Sequence, residues 1–165
     1  MNNLATSYGL IFDKFIKKIK NDTDFFNYSG LSESDIELLV NEHLNSLLDR
    51  AVDFIYRYGV PDVDFLDRDD SLQQFNVELV NQEITLLADI MYFSYVEEER
   101  NKIKSFSITF RSDELNVFSP ANERKTVLRM IESLEASVVN SIQNYLARDR
   151  HTWKYKSIYN GEINI

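Results

Sequence analysis

The sequence predicts an all-α fold, a small bundle of about four helices followed by an extended C-terminal arm. Three observations carry that expectation. Apolar residues recur at spacings of three and four over most of the chain, the pattern that lines one face of a helix. Four glycines and two prolines in 165 residues are too few for the frequent turns of a sandwich or barrel. The periodicity then stops near Ala147, where a basic, aromatic stretch replaces acidic amphipathic text. A helical domain over 1–147 and an arm over 148–165 are therefore expected.

The first helix is marked by Leu4, Tyr8, Ile11, Phe12, Phe15, Ile16 and Ile19, and the polar run Asn21-Asp22-Thr23-Asp24 ends it. Ser32-Glu33-Ser34-Asp35 reads as the next start, with carboxylates in the first turn where the helix dipole favours them. From Ile36 to Ile55 one apolar stripe continues, and it includes His43. Gly59 and Pro61 stop it. Pro61 to Gln74, with Asp62, Asp64, Asp67, Asp69 and Asp70 around Arg68, reads as an irregular surface loop.

A third helix is expected from about Asn81 to Glu99. Ile84, Leu86, Leu87, Ala88, Ile90, Met91, Tyr92, Phe93, Tyr95 and Val96 cover most of its circumference, and a helix apolar all round is buried all round. Two arrangements satisfy this: a central helix within one chain, or a helix with one face closed by a neighbouring subunit. In the second, Met91, Tyr92, Phe93 and Tyr95 are the inter-subunit candidates. Glu97-Glu98-Glu99-Arg100 reads as a solvated charged end. Taken alone, the alternation from Ser105 to Arg111 suggests a half-buried strand. Ser119-Pro120 then resembles an N-cap followed by proline at the first helical position, and Val127, Leu128, Ile131, Leu134, Val138, Ile142, Tyr145 and Leu146 form the stripe of the last helix.

Composition narrows the function classes. No cysteine is present, which excludes disulfides, thiolate metal sites and cysteine nucleophiles. A net charge of −9 disfavours broad phosphate binding. No apolar run reaches the length of a membrane span, and Met1-Asn2-Asn3-Leu4 lacks signal-peptide character, so a soluble cytoplasmic product is expected. No phosphate loop, nucleophile elbow or histidine pair at ligand spacing occurs, so neither enzyme nor cofactor is expected. His43 reads as a hydrogen-bonded core or interface residue and His151 as a contact residue. The Asp62 to Asp70 run lacks the glycine and glutamate of a calcium loop.

The arm carries Arg148, Arg150, Lys154 and Lys156 against Asp149 and Glu162, opposite in sign to its body. It also holds Trp153, the one tryptophan, with Tyr155, Ile158 and Tyr159. Such a segment either packs back on its own domain or reaches another molecule. The second reading takes Trp153, Tyr155, Ile158 and Tyr159 as apolar contacts and the four cations as partners for acidic surface.

Phe75-Asn76-Val77-Glu78-Leu79, then Glu83 with Leu86-Leu87-Ala88-Asp89-Ile90-Met91 and Tyr95, then Ser112-Asp113 and Phe118-Ser119-Pro120-Ala121-Asn122, resemble the neck proteins of tailed phages of Gram-positive hosts. Those are head-to-tail connector, or adaptor, proteins. Tyr95 stands where the relatives usually carry tryptophan. The resemblance implies that Phe106 to Phe110 continues the third helix. It further implies a subunit, made in the host cytoplasm and located in the virion neck, that forms a ring, a dodecamer by analogy. The partners implied are the portal protein and a tail or stopper protein, with channel DNA passing unbound and no membrane contact. From a different class, a small acidic helical binding or regulatory protein fits the same composition.

Overall fold

Serine hydroxyls open the first two helices. The computed structural model describes residues 5–20, 30–109 and 120–156. Ser7 Oγ accepts from the Gly9 amide at the head of α1 (Tyr8–Ile19), and Ser32 Oγ accepts from the Asp35 amide at the head of α2 (Glu33–Tyr56). Two long helices follow, α3 (Asn81–Thr109) and α4 (Pro120–Leu146). Leu4 and Ser119 lie outside the described residues.

The chain is mostly helical, but all-α needs correction. Thr6–Ser7 (β1), Arg68–Asp69 (β2) and Gln74–Phe75 (β3) form a small antiparallel sheet in the order β1-β3-β2. Thr6 faces Phe75, which faces Arg68 on the other side. The segment expected as an irregular surface loop is thus a pinned hairpin. Val63, Phe65 and Phe75 are buried, and Phe75 packs edge-on against Tyr8 at 5.1 Å and Phe65 at 6.2 Å. Strands this short are stable only on a supporting apolar face, which these aromatic rings provide.

Helix α3 is the spine, packed by α1, α2 and α4. Most of its apolar circumference is covered by the chain's own helices, which corrects the inter-subunit assignment for three of its four residues. Met91, Phe93 and Tyr95 are buried within this one chain. Phe93 meets Phe54 at 5.5 Å, and Tyr95 meets Phe15 at 6.1 Å and His43 at 6.4 Å. Tyr92 is half-buried. Residues 105–109 are helical, as the resemblance implies, because α3 runs on to Thr109; Phe110 and Arg111 lie outside the described residues. Glu98 is no solvated helix end, since it bonds His43 Nε2 at 2.9 Å and pairs with Arg50 at 2.5 Å. Among the described residues no helix is long and apolar enough to cross a membrane.

Candidate functional site

The site grows from one buried carboxylate. Glu83 sits in the first turn of α3 and has 0% exposure. Its Oε2 accepts from the Val80 amide at 2.8 Å, the reach-back of a capping box, and its Oε1 accepts from Tyr145 Oη at 2.8 Å. A buried charge is tolerated only when paired. Arg150 supplies the pair as a two-pronged fork, Nε to Oε1 at 2.8 Å and Nη2 to Oε2 at 2.7 Å. Nη2 also donates to the Glu78 carbonyl at 2.7 Å. Burial, and then the Glu83 charge, push the Tyr145 hydroxyl above the ordinary tyrosine pKa.

Arg150 roots a C-terminal hairpin. Arg148 and Tyr155 form an antiparallel bridge, and the Lys156 amide donates to the Ala147 carbonyl at 2.9 Å. Asp149 organises the turn. Its Oδ1 accepts from the Thr152 amide at 2.7 Å, the Thr152 hydroxyl at 2.8 Å and the His151 amide at 3.1 Å. The Thr152 bonds hold its carboxyl below the usual carboxylate range. Arg148 lies over the Tyr155 ring at 4.0 Å and the Trp153 ring at 5.7 Å, and donates to the Trp153 carbonyl at 2.9 Å. Lys156 pairs with Asp62 at 2.7 Å.

This geometry divides the arm residues. Arg148, Arg150 and Lys156, expected to face a partner, are engaged within the chain, by the Trp153 carbonyl, buried Glu83 and Asp62 in turn. Residues 148–156 fold back on the body instead of extending from it. Lys154 is exposed, while Ile158 and Tyr159 lie outside the described residues. Trp153 and Tyr155 keep 37% and 66% of their surface exposed. Trp153 holds a left-handed backbone, φ 59°, one of two described non-glycine residues at positive φ. Such a conformation costs on the order of 1–3 kcal/mol and persists only where its surroundings enforce it. Trp153 also lines a groove of about 290 Å³, together with Asn81, Gln82, Thr85, Asp89 and Ser141 among others.

Glu83, the keystone, stands in the sequence only as one letter of the motif that runs to Met91, with no site role attached. Its one local signal is its spacing from Val80, and its partners Tyr145 and Arg150 stand 62 and 67 positions away. The aspartates of the hairpin are engaged in structure: Asp64 Oδ1 accepts from Tyr56 Oη at 2.8 Å, and Asp69 Oδ1 accepts from the Ser71 amide at 2.9 Å. Among the described residues no group of three His, Asp or Glu side chains is placed to hold a metal ion. The arrangement offers binding surface, an exposed aromatic pair on an ion-paired root. No family model, no curated protein and no solved structure matches the chain.

Proposed function

We propose that this chain is a head-to-tail adaptor of a tailed phage, a ring-forming virion protein that docks on the portal through its C-terminal hairpin. The observation that carries the docking role is Trp153. A turn that needs a left-handed residue is most cheaply made with glycine or asparagine, yet this one spends the chain's sole tryptophan there and leaves it half-exposed. Strained, exposed aromatics are the residue type that anchors interfaces. Tyr155 beside it, propped by Arg148, enlarges the same patch. The adaptor class itself rests on the motif resemblance from Phe75 to Asn122, and a self-contained acidic helical body suits a channel that DNA crosses without adhering.

The test is Trp153→Gly combined with Tyr155→Ser, assayed by co-purification with the portal of the same virus. The variant should keep a melting temperature no lower than wild type, because glycine relieves the left-handed strain, and should lose portal capture by at least tenfold. Undiminished capture would move the docking surface elsewhere on the body.

A further inference from the structure

We infer that the trough along α3, between α1 and α4, receives the acidic hairpin of a second copy of this chain, in a head-to-tail contact that builds the ring; the inference rests on the adaptor reading above. Helix α3 is covered on three sides only. At about 100° per residue, Thr85, Asp89, Tyr92 and Val96 fall on one stripe, and these are half-buried positions in an otherwise buried run. Helices α1 and α4 form the banks, with Lys14 and Lys18 bonding across from α1 and Ser141 standing on α4. Trp153 belongs to the same lining.

On the α1 bank Lys14 and Lys18 reach the trough, Lys18 paired with Asp89 at 2.7 Å. Lys14 Nζ donates to neutral oxygens, Asn81 Oδ1 at 2.7 Å and Thr85 Oγ1 at 2.8 Å, and makes no ion pair among the described residues. An occupant suited to this trough is acidic and apolar at once. Residues 62–75 have that chemistry: five aspartates against Arg68, with Leu66 and Leu72 left 58% and 66% exposed. The chain's own hairpin is held elsewhere, on α2 by Arg68–Asp49 at 2.7 Å and on α1 by the Tyr8 hydroxyl to Asp70 at 2.7 Å. Two different complementary surfaces on one protomer make a heterologous contact, which closes into a ring when the rotation allows. Opposite charges across it favour that register over others.

The full-length chain carries the experiment. One variant, Lys14→Glu with Lys18→Glu, loses the basic bank; the other, Leu66→Asn with Leu72→Asn, loses the apolar tip. Circular dichroism should match wild type for both, since the changes are at the surface. In sedimentation each should be monomeric where wild type assembles, and an equimolar mixture should give a one-to-one dimer, because one intact tip and one intact trough remain to meet. Variants that assemble as wild type does, or a mixture that stays monomeric, overturn the contact while leaving the adaptor reading to the portal assay. A wild-type chain that is monomeric up to millimolar concentration overturns the contact as well, and a monomer that still captures portal keeps the docking role of Trp153.

Discussion

At the residue scale, two tyrosines make the fold sensitive to alkali. Tyr8 and Tyr145 are buried, and burial followed by the neighbouring carboxylates Asp70 and Glu83 raises both hydroxyls above their ordinary pKa. A group whose folded pKa is raised contributes stability that is fully present below the unfolded value, here about 10, and is lost as pH rises beyond it. Unfolding free energy should therefore be flat from neutral pH to about 10 and then fall. Tyr145→Phe should cost about 1.5–3 kcal/mol at neutral pH, the worth of a hydrogen bond to a charged group, and should flatten the alkaline fall. Urea titrations across that pH range measure both, and an unchanged alkaline limb in Tyr145→Phe would assign the effect to other groups.

Element by element, most of the helical text was legible because its apolar spacing reports one buried stripe per helix. The Ser32 cap follows the same local logic, since a cap depends on atoms within three residues. The small sheet was not legible: strands of two residues carry no periodicity, and Thr6 meets Phe75 across most of the first half of the chain. Helix α3 was ambiguous for a related reason, because an apolar circumference says that every side is covered without saying by what. The packing of Phe93 on Phe54 answers that in favour of the chain's own core. Phe93→Asp should accordingly abolish cooperative folding, as an unpaired charge would be buried beside an aromatic ring. A folded, helical Phe93→Asp monomer would return that face to a subunit interface.

Across the whole molecule, the C-terminal hairpin and the helical body stand as one unit joined by Glu83–Arg150 and Asp62–Lys156. Truncation after Ala147 removes both cations and leaves Glu83 buried with Tyr145 and the Val80 amide alone. Breaking a buried pair on one side costs about 3–5 kcal/mol, so the truncated chain should melt well below the full chain. Arg150→Ala should reproduce most of that loss, whereas the exposed Asp62–Lys156 pair contributes little, about 1 kcal/mol or less. Calorimetry of the three proteins compares these contributions directly. A truncated chain with the wild-type melting temperature would show that the hairpin is an appendage and that Glu83 finds other partners.

By itself the sequence determined most of the helical text, the Ser32 start of α2, the absence of thiol chemistry, and the concentration of basic and aromatic residues after Ala147. These properties are written in neighbours three or four positions apart, or in composition, and need no knowledge of the fold. Tertiary structure alone decided which side of α3 stays open, that five aspartates belong to a pinned hairpin, and that Arg150 is an anchor while Trp153 remains outward. The physical reason is that burial and charge pairing are settled by atoms distant in sequence. Glu83 looks like any first-turn glutamate until the fold removes its water, and only then must an arginine 67 positions away come to it.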